Sequence, residues 1–228
     1  MKRIAGVKST QLLASELPIR LHLRTDLHLV RKAYHVVMGA LTAFIYLLSG
    51  MSPGTGVMIL GTVLGIVFLV ETARLRIPSF NEKVLRLWAP FMRTHEYSRP
   101  SAVLPYVASM IVAILIFPKP VAVLSILYLA VGDPMASLVG ILYGDKSYRP
   151  PSGISLIGTA AGVMTCVLLG VVFLNSLALP PVAVAGIALV GGVAGGTAEL
   201  LPIDVDDNLS IPIASGFVLW LAFLLFGV

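Results

Sequence analysis

The chain has 228 residues, 57% of them hydrophobic and only 12% charged, with a mean hydropathy of +0.96 and a formal net charge of +5. A water-facing globule carries about 25% charged residues, so this composition excludes a soluble domain of the same size and favours outer faces that meet hydrocarbon. The single cysteine, Cys166, excludes an internal disulfide, and no Cys/His cluster marks a zinc site.

Residues 1–32 are basic and mixed in character, without the apolar core and small-residue cleavage site of a signal peptide. They read as a retained cytoplasmic or juxtamembrane segment, followed by one transmembrane domain over 33–228. Apolar runs at 33–49, 55–70, 102–117, 121–143, 154–174, 182–201 and 211–228 approach or reach the 17–25 residues that cross a bilayer. The expected fold is an all-α polytopic transmembrane bundle of about seven spans. The second run is short, so its helix is expected to tilt or to extend into the polar stretch after it. Breakers divide most of the runs: Ser52-Pro53-Gly54, Pro118-Lys119-Pro120, Pro150-Pro151 and Pro180-Pro181.

Lys and Arg fall in 1–32, 71–100 and 144–151, which seven spans bring to one side together with 202–210. Lys119 is the only basic residue of the opposite loops. The positive-inside tendency then puts the N-terminus in the cytoplasm and the C-terminus outside. The net positive charge suits anionic lipid headgroups and requires no nucleic acid.

Polar residues at membrane depth are the candidates for chemistry. Arg31-Lys32-Ala33-Tyr34-His35 opens the first span, with Arg31 and His35 four residues apart on one helix face. Both side chains can meet phosphate oxygens, although Arg31 and Lys32 also fit the part of boundary anchors. Glu71, Arg74 and Arg76 follow the second run, and Arg93, His95, Glu96 and Arg99 precede the third. Asp133 and Pro134 interrupt the fourth run. An aspartate there is costly unless it faces water, a cation or a polar partner, and the proline removes a helical hydrogen bond. The expectation is a metal or phosphate site in a broken helix, against a satisfied structural aspartate. Cys166 in the fifth run reads as a small packing residue. The glycines at 191, 192, 195 and 196, with Gly61 and Gly65, read as close helix packing ahead of a phosphate loop. Glu199 and Asp204-Val205-Asp206-Asp207-Asn208 gather oxygen donors suited to Mg²⁺. No G-x-x-x-x-G-K-[ST] loop is present, which disfavours a P-loop enzyme.

Together these residues resemble the CTP-dependent lipid kinase family of dolichol kinase, phytol kinase and yeast-type diacylglycerol kinase. The likeness runs from Arg31 to Pro212 through Arg31-Lys32-x-x-His35, Glu71-x-x-Arg74, Glu96 and Gly132-Asp133-x-x-Ala136-Ser137-x-x-Gly140-x-x-x-Gly144. It continues with Gly158 to Gly162, Glu199 and Asp206-Asp207-Asn208-x-x-x-Pro212. One element departs: where the family carries Lys-Ser-x-Glu-Gly, this chain reads Ile154-Ser155-Leu156-Ile157-Gly158, leaving Lys146 or Arg149 as basic residues nearby.

The resemblance implies phosphoryl transfer from CTP to a membrane lipid alcohol at the cytoplasmic face, with CTP as co-substrate and Mg²⁺ as cofactor. It implies Asp133, Asp206, Asp207 and Asn208 as metal ligands, and Asp133 or Asp207 as the carboxylate that takes the alcohol proton. Arg31, Lys32, His35, Glu71, Arg74, Glu96, Ser137, Lys146 and Glu199 are the implied substrate- and nucleotide-binding residues. Three alternatives stay open: phosphatidate cytidylyl transfer, a catalytically degenerate lipid- or nucleotide-binding protein, and a transporter with a discontinuous helix.

Overall fold

The computed structural model describes residues 26–144, 154–200 and 206–228. Helix α1 spans Leu29–Leu48, α2 Pro53–Arg76 and α3 Pro78–Trp88. Two short 3₁₀ turns follow, Ala89–Phe91 and Thr94–Tyr97, then α4 over Val103–Ile116 and α5 over Lys119–Leu127. A π-helical segment, Tyr128–Gly132, joins α5 to α6, Asp133–Tyr143. Helices α7 (Leu156–Ser176), α8 (Pro181–Thr197, extended by a 3₁₀ turn at Ala198–Leu200) and α9 (Asp207–Phe226) complete the all-α chain.

Each of the seven expected apolar runs is helical. Five of the helices are long and apolar enough to cross a membrane: Pro53–Arg76, Lys119–Tyr143, Leu156–Ser176, Pro181–Leu200 and Asp207–Phe226. The count of seven is not reached on that measure. Helix α1 carries Arg31 and Lys32 within its first turn, and α4 has only 14 residues. The second run does extend past its apolar part, as far as Arg76.

The composite helix Lys119–Tyr143 forms the centre. Ala122, Val123, Leu124, Ile126, Tyr128, Leu129 and Ala130 are all fully buried there. Helices α1, α4, α7, α8 and α9 all touch it, whereas α2 meets the bundle chiefly through α4 and turns Met58, Ile59, Ile66, Phe68 and Leu69 outward. That distribution suits a lipid-facing α2, since hydrocarbon puts no penalty on exposed apolar side chains.

Glycines set the closest crossings. A Cβ on Gly192 would lie 2.5 Å from Val167 Cγ2 and 2.7 Å from Val167 N, so α7 and α8 approach to backbone distance. A Cβ on Gly158 would meet the Ala136 carbonyl oxygen at 2.6 Å, which fixes the α6–α7 crossing. The packing expectation therefore holds for the α8 glycines, and Cys166 fills the space beside Gly132 and Gly195. It fails for Gly61 and Gly65, which have nothing within 4 Å: they border an open groove between α2 and the Leu104, Pro105 and Ala108 side of α4. Lys119 donates to the Met51 carbonyl at 2.9 Å and stands 4.7 Å over the Tyr46 ring, so the basic residue of the opposite loops fastens a turn.

Pro134 does not split the fourth run into separate half-helices. It occupies the start of α6, where a missing N–H costs least. The preceding π turn absorbs the register change, with the Asp133 N–H donating to the Tyr128 carbonyl.

Candidate active site

The stretch 71–100, read from sequence as a loop, folds into a structured cap. Pro78 starts α3, and apolar residues at Phe80, Val84 and Trp88 recur at a four-residue interval that marks one helix face. Two buried ion pairs hold this cap. Arg74 donates through Nε and Nη2 to the two Glu71 carboxylate oxygens at 2.9 and 2.6 Å. Its remaining N–H groups reach Asn81 Oδ1 (3.2 Å) and the carbonyls of Glu96 (2.9 Å) and Arg99 (2.7 Å). A guanidinium has five donors, and all five are taken. Arg74 is 1% exposed, so the expected contact with a nucleotide phosphate is replaced by a structural role. Glu71 also accepts from the Ser101 N–H at 2.8 Å.

Glu96 is the second clasp. Its carboxylate accepts a fork from Arg31, Nη1 at 2.7 Å and Nη2 at 3.2 Å, together with the N–H groups of Arg93 (2.6 Å) and Ala102 (2.9 Å). Burial pushes the Glu96 carboxyl up, but the Arg31 pair and these two backbone N–H groups outweigh it and hold the group below its ordinary 4.5. A depressed carboxyl pKa contributes stability that is complete above the unfolded-state value and disappears as pH falls through the folded one. In detergent, the melting temperature should therefore fall as the buffer is taken below about pH 4.5. The fall should be smaller in Glu96→Gln, and an identical acid profile in both proteins would contradict the assignment.

Arg31 also donates to the Phe91 carbonyl at 2.9 Å, and His28 Nε2 meets the Pro90 carbonyl at 2.8 Å. The cap is thereby fixed to the start of α1. Between them lies a cavity of about 290 Å³, bounded by α1, α2, α3, α4 and the cap, and largely apolar. Tyr34, Trp88, Phe91 and Tyr106 line it together with Arg31, His35, Glu71 and Glu96. On the other side of Arg31 and His35 is a small polar pocket of about 40 Å³, lined by Lys32, Arg93, Asp133, Pro134 and Ser137 among others. Thus Arg31 and His35, on one face of α1, form the wall common to both spaces. Tyr106 donates to the His35 carbonyl at 2.6 Å, and the two rings are 4.0 Å apart.

The structure therefore brings Arg31, Lys32, His35, Asp133 and Ser137 together, with Glu71 and Glu96 bordering the apolar side. The aromatic lining was not assigned from sequence, and Arg93 was named there without a place in the site, because nothing in a local pattern reveals that the cap folds back over α1. Glu199 is not among the residues lining these two spaces; its Oε1 accepts from Thr159 Oγ1 at 3.4 Å. Asp206 caps α9, accepting from the Asn208 N–H at 3.0 Å and from Asn208 Nδ2 at 2.7 Å. The expected ligand set of Asp133, Asp206, Asp207 and Asn208 is not assembled: among the described residues no three His, Cys, Asp or Glu side chains form a group that could hold a metal ion. Lys146, Arg149 and Asp204 lie outside the described residues. Where the Lys-Ser-x-Glu-Gly element departs, Ile157 is exposed, whereas Gly158 is the α6 contact point.

No protein-family model and no solved structure matches the chain. Curated proteins do. CTP-dependent diacylglycerol kinase 1 of Schizosaccharomyces pombe is 28% identical over 202 residues, covering 84% of this chain and 91% of that protein. The chain is therefore similar, over most of its length, to the CTP-dependent diacylglycerol kinases. The protein of the same name from Saccharomyces cerevisiae is 26% identical over 203 residues, 81% of this chain and 70% of its own length. That of Eremothecium gossypii is 29% identical over 167 residues, 65% and 53% of the two chains. In this chain, the apolar cavity and the Asp133 pocket are the two spaces around which chemistry can be organised.

Proposed function

We propose that the protein transfers the γ-phosphoryl group of CTP to the hydroxyl of a membrane lipid, diacylglycerol foremost. The relatives named as CTP-dependent diacylglycerol kinases support the reaction class. The observation that carries the reading onto this chain is the shared wall: an apolar cavity and a polar, Asp133-containing pocket meet at Arg31 and His35. A kinase acting on lipid needs such a junction, since its two substrates come from different solvents.

Phosphoryl transfer passes through a loose transition state, so the protein mainly positions groups and neutralises charge. The lipid oxygen forms its bond to the γ-phosphorus as the bond to the bridging oxygen breaks, giving a lipid phosphate and CDP. Lys32, Arg93 and the Arg31 donors not used on Glu96 and Phe91 are the cations on the pocket side. Ser137 adds a hydroxyl, and Asp133 is the carboxylate through which the alcohol proton reaches solvent. The donors suit Mg²⁺ in the form in which it accompanies nucleotides, on one or two carboxylates with the phosphates supplying other oxygens. Asp133 would hold it, and the bound ion would neutralise charge on the transferring group. Nucleotide entry belongs on the side of the basic segments, the cytoplasmic side by the positive-inside tendency.

Purified protein in liposomes with Mg²⁺, CTP or ATP, and a set of neutral lipid alcohols tests the reading. Formation of a lipid phosphate with CTP, largest with diacylglycerol, is expected. Solute flux across the liposome without nucleotide, and no lipid phosphate, would replace the enzyme with a transporter.

A further inference from the structure

We infer that the cavity bounded by α1, α2, α3 and α4 seats one hydrocarbon chain of a neutral lipid alcohol, whose hydroxyl donates a hydrogen bond to His35 Nε2. The inference rests on the kinase reading and names where, and by what group, the acceptor is held.

Three observations carry it. First, His35 lines the cavity, and its Nε2 is buried without a hydrogen-bond partner. In a neutral imidazole whose proton sits on Nδ1, Nε2 is a bare acceptor. A buried acceptor without a partner is costly, and a hydroxyl is a group that satisfies it; an ionised phosphate oxygen, itself an acceptor, does not. Second, the charges around the cavity cancel. Arg31 is paired with Glu96 and Arg74 with Glu71, at 2.7 and 2.6 Å. An anionic headgroup would meet no uncompensated cation there, so the site suits an uncharged head. Third, Ile66, Val70 and Trp88, which line the cavity, are also exposed on the outer faces of α2 and α3. The mouth therefore opens towards the side on which α2 presents its apolar residues, the route by which a chain enters from a bilayer. A volume of about 290 Å³ is at the small end for ligand pockets, enough for a segment of one chain and too small for a whole two-chain lipid.

The test combines binding with turnover. A diacylglycerol bearing a diazirine on one acyl chain is photolysed with the wild-type protein in liposomes, and labelled peptides are mapped. Label is expected within residues 66–70, 84–92 and 101–106, displaced by unlabelled diacylglycerol and at least tenfold less well by phosphatidate. Label confined to the outer faces of α7–α9, or equal displacement by phosphatidate, overturns the inference. Val67→Trp, which fills the cavity, should remove the label. For His35→Ala, the loss of one hydrogen bond predicts a rise of about tenfold in KM for diacylglycerol with KM for CTP unchanged, and His35→Gln, which restores an acceptor, should recover most of it. Equal effects on both substrates, or no recovery, would leave His35 as a packing residue and overturn its role. Absence of turnover in the wild type would strike the kinase reading alone, because the photolabel needs no nucleotide.

Discussion

Asp133→Asn is expected to reduce turnover by roughly 10²–10³-fold, the cost of removing one charged group from a site whose work is electrostatic, while the protein melts at the wild-type temperature. The change replaces one oxygen by an amide of nearly the same shape. Pro134 supplies the conformational restraint at the start of α6, and Asp133 lines the pocket shared with Lys32, Arg93 and Ser137. Initial rates with saturating CTP and diacylglycerol, beside a thermal unfolding curve, separate the two effects. A variant with more than a tenth of wild-type activity would remove Asp133 from the chemistry, and one that unfolds would make it a structural residue.

Arg74→Ala should do the opposite, and its expected effect on stability is the largest of any single change proposed here. It removes five hydrogen bonds and leaves Glu71 buried opposite no cation. Breaking one partner of a buried pair costs about 3–5 kcal/mol. The cap over 89–101 loses its tie to α2, since Arg74 is what holds the carbonyls of Glu96 and Arg99. Glu96 is then free to leave Arg31, and the apolar cavity loses one wall. The expected result is a large fall in melting temperature with early proteolysis between residues 89 and 101. Arg74→Lys should recover little, because an ammonium cannot make the fork. Wild-type stability in Arg74→Ala would show that the buried pair is not what holds the cap.

These two residues illustrate what a single sequence discloses. Asp133 was legible because an aspartate beside a proline within an apolar run conflicts with its solvent, and such conflicts persist only where they are answered by structure or function. The Arg31–His35 face was legible for a simpler reason, the four-residue helical repeat. Arg74 was open both to an interfacial salt bridge and to a phosphate contact, and its pair with Glu71 is the first of these. Spacing puts it one turn from Glu71, yet nothing local says that Asn81, Glu96 and Arg99 close around it, for those contacts depend on how residues 77–101 fold back. The same dependence hid the aromatic cavity. The Asp206-Asp207-Asn208 run read as a cation site because its composition is that of one; in the structure Asp206 also caps α9, a role its composition did not announce. Helical runs were visible from hydropathy alone. Their conversion into a span count was not, because α4 is short and α1 starts with two cations. Gly61 and Gly65 share the small-residue pattern of α8, and differ in bordering an open groove beside α4 where the α8 glycines meet α7 directly, a property of the assembled bundle.

The central claim is that the γ-phosphoryl group of CTP, and not its cytidylyl group, moves to a lipid alcohol. It is tested most directly by supplying the purified protein and diacylglycerol with CTP labelled at the α- or at the γ-phosphate in parallel reactions. Label should enter the lipid from the γ position alone, with CDP retaining the α label. Lipid carrying the α label with release of pyrophosphate, or no labelled lipid from either, would contradict the account.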